Sequence, residues 1–224
     1  IEIMEEGVGN FFTPNRAFQE GYNFLDSRPE DKPFALLLNF NVPHGAGTRS
    51  MQLRDGDLPL YRTAYRDRVE EIKLPSTYVA EKDMVTSKIP KSVYSGEYIE
   101  QYNYVKTPDD MIERTIRTMQ TITGIDKLLG KLLKKLEEQG VADNTIIVFT
   151  SDHGLLHGEH GLGGKVLLYE PSIRIPLIVY DPRVNIAVTR KELVALLDIA
   201  PTLLELTGLP VPREVQGKSL KPLI

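Results

Sequence analysis

Between Thr107 and Gly140 apolar residues recur at spacings of three and four: Met111, Ile112, Ile116, Met119, Ile122, Ile125, Leu128, Leu129, Leu132, Leu133 and Leu136. That period predicts one long amphipathic helix. Thr107-Pro108-Asp109-Asp110 supplies its start, with a hydroxyl N-cap, proline at the first helical position and acids at the positive end of the dipole. Gly140 supplies the stop. Lys131, Lys134 and Lys135 near its end suit the negative end of the dipole and read as a solvated face.

Other stretches carry a different pattern. Phe34 to Phe40 (FALLLNF), a continuous apolar run between prolines 33 and 43, predicts a strand buried on both faces, and the short apolar runs Thr145 to Thr150 (TIIVFT) and Ile173 to Tyr180 (IRIPLIVY) predict two more strands. A strand, a long helix and a second strand follow βαβ logic, so the expected fold class is α/β, with a mixed, mostly parallel sheet flanked by helices. Ala17, Phe18, Tyr22, Phe24 and Leu25 predict one face of a helix near the start. Leu193–Leu197 reads as a strand or a helical turn, and Asp198 as the cap of a helix over Ile199–Thr207 that Gly208 ends. From about 48 to 106 the periodicity weakens among scattered tyrosines and prolines. That stretch predicts a long irregular excursion, either a functional loop or an insertion packed by its tyrosines. The tail from Leu209 onward reads as loop.

Composition narrows the function classes. The chain has 224 residues, 41% hydrophobic and 26% charged, with a formal net charge of −4. It carries no basic footprint for nucleic acid or an anionic membrane. No apolar run approaches the roughly 18 to 20 residues that span a bilayer. Absence of cysteine removes thiolate ligands and a cysteine nucleophile from this chain. The first residues lack the features of a signal peptide, and the missing initiator Met suggests a start inside a longer protein.

Chemistry concentrates in Thr145–Lys165, TIIVFTSDHGLLHGEHGLGGK. Three of the four histidines, His153, His157 and His160, fall there beside Asp152, Glu159 and Lys165, while His44 follows the first apolar run. In open α/β sheets ligands bind beyond the C-terminal ends of strands, and both histidine-bearing loops are expected at such ends. Asp152 and His153 offer a carboxylate and an imidazole, a fragment of a divalent metal site or, equally, a turn and a hydrogen-bonded ring. Lys165 follows Gly163-Gly164, where bare backbone lets an anion approach an ammonium group. The spacing is not that of a phosphate-binding P-loop. Glu159 is expected to pair with Lys165 or Arg174. Ser151 lacks the company of a hydrolase nucleophile.

Four separated blocks together carry a family resemblance: PFALLLNFNVPH, DNTIIVFTSDHG, GEHGLGGKVLLYEPSIRIPLIVYDP, and LVALLDIAPTLLELTGLPVP followed by GKSLKPL. Their order resembles the sulfatase family of the alkaline phosphatase superfamily, specifically the C-terminal portion of one catalytic domain. The resemblance implies a sulfuric ester hydrolase in which Asp152 and His153 are metal ligands. It makes His44 and Lys165 catalytic and sulfate-binding, with His160 a further candidate substrate contact. The implied metal is a divalent cation, Ca²⁺ by family habit, with Mn²⁺, Mg²⁺ or Zn²⁺ left open by the imidazole ligand. The implied substrate is a small-molecule or carbohydrate sulfate ester, and an extracytoplasmic compartment fits the family.

The family's formylglycine arises from Cys or Ser in a Cys/Ser-x-Pro-x-Arg motif. Here the nearest string, Phe12-Thr13-Pro14-Asn15-Arg16, puts Phe12 at the nucleophile position. The nucleophile is therefore expected upstream, in a longer parent, and the chain alone is expected to be inactive. A phosphodiesterase or phosphonate hydrolase of the same superfamily, or a non-catalytic sulfatase-like binding module, are the competing readings. Oligomeric state is open.

Overall fold

The computed structural model describes residues 13–39, 43, 59–84, 106–165 and 167–224. They divide into two compact units. One holds the described residues up to Gln139 together with Gly154–Arg174, and the other holds Gly140–His153 with Ile175–Ile224. The class is α/β. No helix among the described residues is long and apolar enough to cross a membrane.

The first unit contains α1 (Thr13–Ser27), α2 (Leu60–Thr63) and the long α3 (Pro108–Glu138). Thr107 caps α3 as its sequence predicts. Its hydroxyl accepts from the Asp110 N–H at 3.2 Å, and the Asp110 carboxylate accepts from the Thr107 N–H at 3.2 Å, closing a capping box. Gly140 follows at φ +67°, a left-handed stop that glycine adopts without penalty. The expected stripe is buried at Met111, Ile116, Ile125, Leu128, Leu132 and Leu136, whereas Ile122 is exposed.

Each half of α3 holds a different partner. Toward its C-terminal end, Gln139 donates to the Leu25 carbonyl at 3.0 Å and Lys135 pairs with Asp26 at 2.5 Å, fastening α1. Toward its N-terminal end it carries the 59–84 segment. There the Tyr65 hydroxyl meets Thr123 Oγ1 at 2.6 Å, Gln120 donates to the Ala64 carbonyl at 2.8 Å, and Arg66 forks onto Glu113. The described part of the excursion is thus built from α2 and short 3₁₀ turns at Arg66–Glu71 and Glu81–Asp83, held by a tyrosine and polar side chains.

The Phe34–Phe40 expectation needs correction over its described part. Residues 33–39 form neither helix nor strand and have no ladder partner among the described residues. Burial alternates along them, and Leu37 is 75% exposed. One side rests on α1: the Phe34 ring meets Phe24 edge-on at 6.2 Å and carries the Arg28 guanidinium at 4.8 Å. A period-two contact with one helix has replaced burial on both faces.

In the second unit β1 (Ile147–Thr150) pairs with β4 (Leu177–Tyr180) in register Ile147↔Tyr180 to Thr150↔Leu177. In the first unit β2 (Leu156–His157) pairs with β3 (Gly163–Gly164). Both described ladders are antiparallel, so the parallel pairing expected from βαβ logic is not represented among them. The β1–β4 register places Val148, Thr150, Leu177 and Val179 on one face and Ile147, Phe149, Ile178 and Tyr180 on the other.

The last helix, α5 (Ile199–Leu206), follows α4 (Glu170–Ile173) and a 3₁₀ turn at Leu196–Asp198. Asp198 does not cap α5 with its side chain. Its carboxylate accepts from the Lys218 N–H at 2.8 Å and the Ala195 N–H at 2.9 Å, which depresses its pKa. Gly217 permits that approach, since a Cβ there would lie 1.9 Å from the Leu197 carbonyl oxygen. Thr202 completes the tether by accepting from the Leu220 N–H at 2.7 Å. At the other end of α5, buried Asp181 holds Arg183 by two bonds at 2.7 and 2.6 Å, and Arg183 donates to the Leu206 carbonyl at 3.1 Å.

Candidate active site

Residues Ser151–Gly154 leave the C-terminal end of β1, and their short polar side chains fold the turn on itself. Ser151 Oγ donates to the His153 carbonyl at 2.8 Å, and the Asp152 Oδ1 accepts from the His153 N–H at 2.9 Å. His153 Nε2 then stands 3.3 Å from Asp152 Oδ2, with the Asp152 side chain 81% exposed. The turn reading describes these hydrogen bonds, and the ligand reading is compatible with them. One carboxylate oxygen serves the turn, while the other faces an imidazole nitrogen. Adjacent donors about 2.1 Å from one cation lie about 3.0–3.4 Å apart, so the pair can share a divalent ion. Among the described residues no third His, Asp or Glu joins them in a cluster. Further donors to a complete coordination sphere therefore have to come from outside the described residues or from other atom types.

The second half of the histidine-rich stretch lies in the first unit as a glycine-dense hairpin. Gly154 opens it, donating to the Ser172 carbonyl at 2.8 Å, and a Cβ there would meet the Pro171 carbonyl oxygen at 2.0 Å. Between β2 and β3 the tip closes through Gly158 N–H to the Leu162 carbonyl at 3.0 Å. Four residues take left-handed φ, Gly158 at +93°, His160 at +57°, Gly161 at +72° and Gly164 at +83°. The 75–84 segment lies across the tip. Its Thr77 carbonyl accepts from the His160 N–H at 2.7 Å, and the Tyr78 ring sits where a Gly158 Cβ would come within 2.5 Å.

Each charged group then takes a distinct place. Lys165 emerges half-buried directly after β3. Glu159 does not take the expected partner: its carboxylate accepts from the His157 N–H, and Arg174 pairs with Glu170 at 3.9 Å. A local backbone donor is reached at lower entropic cost than a long cationic side chain, which explains the difference. His157 is held neutral, its pKa pushed down to about 4, first by burial and then by the nearby Arg114 guanidinium. His160 stays exposed and stacks on Tyr169, ring centroids 4.8 Å apart. His44 lies outside the described residues.

Asp152 and His153 stand together in the second unit, whereas His157, His160 and Lys165 belong to the first, along one hairpin. Arg114 is the residue that sequence reasoning passed over. It is only 2% exposed, inside the buried stripe of α3 three positions after Met111. A charge at an apolar phase of the helix period is the signal that could have found it.

Comparison with known proteins gives this arrangement a context. The family model described as Sulfatase matches residues 12–209. An N-acetylglucosamine-6-O-sulfatase of Bacteroides thetaiotaomicron is 27% identical over 267 residues, covering 99% of this chain and 47% of that protein. An arylsulfatase of Clostridium perfringens is 30% identical over 225 residues, covering 96% of this chain and 42% of that protein. The chain thus spans less than half the length of these two relatives. A phosphonate monoester hydrolase from Silicibacter pomeroyi shares the fold, with a TM-score of 0.73 at 24% identity over 96% of this chain and 42% of that structure.

Proposed function

Since the chain belongs to the sulfatase family, we propose that the full-length protein hydrolyses a sulfate ester, and that the ester is borne by a carbohydrate. The observation that carries this reading is the Asp152–His153 pair, an exposed carboxylate 3.3 Å from a half-buried imidazole at the end of β1, which suits one divalent cation. The substrate class draws on the similarity to an N-acetylglucosamine-6-O-sulfatase.

In this reading water cleaves the S–O ester bond overall, giving a free alcohol and inorganic sulfate. A divalent ion, Ca²⁺ with Mn²⁺, Mg²⁺ or Zn²⁺ as competitors, would supply Lewis acidity to sulfate oxygens. Asp152 and His153 would hold it. Lys165 places its ammonium against a sulfate oxygen and offsets the charge that builds there. His44 or Lys165 gives a proton to the departing ester oxygen, which leaves as the alcohol. The nucleophile, a formylglycine in this reading, belongs to residues outside this sequence.

The test is sulfate release by the full-length protein from N-acetylglucosamine 6-sulfate and 4-nitrophenyl sulfate, beside a phosphodiester and a phosphonate monoester. Preference for the sulfates, lost on chelation and restored by one of the named cations, supports the assignment. Preference for the phosphorus esters moves it to a phosphodiesterase or phosphonate hydrolase. Cation and sugar binding without turnover makes it a non-catalytic binding module.

A further inference from the structure

The hairpin tip shows a side chain where the backbone favours none. Gly158, Gly161 and Gly164 fill left-handed positions, and His160, at φ +57°, is the one side-chain-bearing residue among these four. For an L-residue this conformation is costly, and such positions gather where a side chain has a task. Fold maintenance does not account for the ring. The tip is already fixed by the His160 N–H on the Thr77 carbonyl at 2.7 Å, by Gly158 on Leu162 at 3.0 Å and by Leu162 on Glu159 at 2.9 Å, all backbone bonds. The ring instead lies outside, stacked on Tyr169 at 4.8 Å and 26°. Tyr169 is itself 38% exposed and its neighbour Leu168 88% exposed. Lys165 leaves the same hairpin five residues after His160.

We propose that His160 and Tyr169 form an aromatic platform that receives the apolar C–H face of the substrate's pyranose ring. This deepens the carbohydrate-sulfate reading and rests on it. A pyranose presents axial C–H groups on one face and hydroxyls around its edge. Aromatic rings bury that face without demanding hydrogen-bond partners, and the sugar hydroxyls around its edge stay with water. Lys165 addresses the sulfate, and the platform addresses the sugar that carries it. Discrimination between sulfate esters of different alcohols then resides at the hairpin tip.

The experiment uses the full-length protein and the variants His160→Gly, Tyr169→Ala and Tyr169→Phe. Glycine adopts the left-handed conformation freely, so His160→Gly removes the ring while preserving the tip. Affinities for N-acetylglucosamine 6-sulfate and for inorganic sulfate are measured by calorimetry, with sulfate release followed in parallel. Expected are a roughly fivefold to tenfold weaker sugar-sulfate affinity in His160→Gly and Tyr169→Ala, wild-type affinity in Tyr169→Phe, and unchanged affinity for inorganic sulfate throughout. Equal sugar-sulfate affinity in all proteins overturns the platform. So does a parallel loss of sugar-sulfate and inorganic sulfate affinity, which marks a loop staple, and so does absence of sugar-sulfate binding by the wild type. Selective sugar-sulfate binding without sulfate release would overturn the hydrolase reading and leave the platform standing.

Discussion

The Ser151–His153 turn and the hairpin that follows it use similar residues for opposite ends. The turn holds Asp152 and His153 through its own short side chains, and the Asp152 carboxylate stands in solvent. The hairpin uses its glycines for close approach, wraps itself in the 75–84 segment and keeps His157 half-buried and neutral. Substitution in the turn should therefore cost binding and little stability. Substitution in the hairpin should cost stability first.

Gly154→Ala should show the largest effect. Its Cβ would fall 2.0 Å from the Pro171 carbonyl oxygen, a backbone atom that cannot swing aside as a flexible side chain can. A loss of about 4 kcal/mol is expected, read as a fall in the unfolding midpoint. Wild-type stability would show that α4 moves away from the hairpin.

His157 sets the next effect, through pH. Its pKa is about 4 in the folded chain against 6.5 for the unperturbed group. Below about 6.5 the unfolded chain takes up a proton that the folded chain refuses, so stability falls as pH drops. The loss ends near pH 4, where both states are protonated. The full window amounts to about 3 kcal/mol. A His157→Leu variant should flatten the midpoint between pH 6.5 and 4. An unchanged slope would place the acid sensitivity elsewhere.

Asp152→Ala tests the other side of the comparison. Divalent-cation affinity and sulfate-ester turnover of the full-length protein should fall at least about a hundredfold, or about 2.7 kcal/mol. The exposed carboxylate leaves stability within about 0.5 kcal/mol. Retained cation affinity would remove Asp152 from the ligand set. A large drop in midpoint would make the turn as structural as the hairpin.

What the sequence made legible follows the range of the interaction. The capped start of α3, its stripe and its glycine stop are fixed by residues within a few positions of one another, and all were readable. So was the adjacency of Asp152 and His153, which a single peptide link imposes. Phe34–Asn39 announces apolarity but not its partner, and it rests on α1 rather than joining a described ladder. Strand direction in β1–β4 depends on the return of a distant segment. Asp198 has the look of a cap, yet it reaches Lys218, twenty residues on. Glu159 erred the other way, choosing a backbone donor two residues off over a cation. Arg114 was hidden because it occupies a phase of the helix where an apolar side chain is expected.

Ser151 gives the finest division between the two regions. Its hydroxyl donates to the His153 carbonyl at 2.8 Å and so braces the turn from which both candidate ligands project. It is proposed to touch neither cation nor sulfate. Ser151→Ala removes one hydrogen bond, worth about 1 kcal/mol, at a residue, His153, that is only half-buried, so water can take the place of the donor. If the turn is a poised ligand pair, the loss appears as roughly threefold to fivefold weaker cation affinity with the unfolding midpoint nearly constant. Ser151→Thr, which keeps the hydroxyl, should restore the affinity. A lowered midpoint at constant affinity would mean that this turn, like the hairpin, spends its hydrogen bonds on the fold.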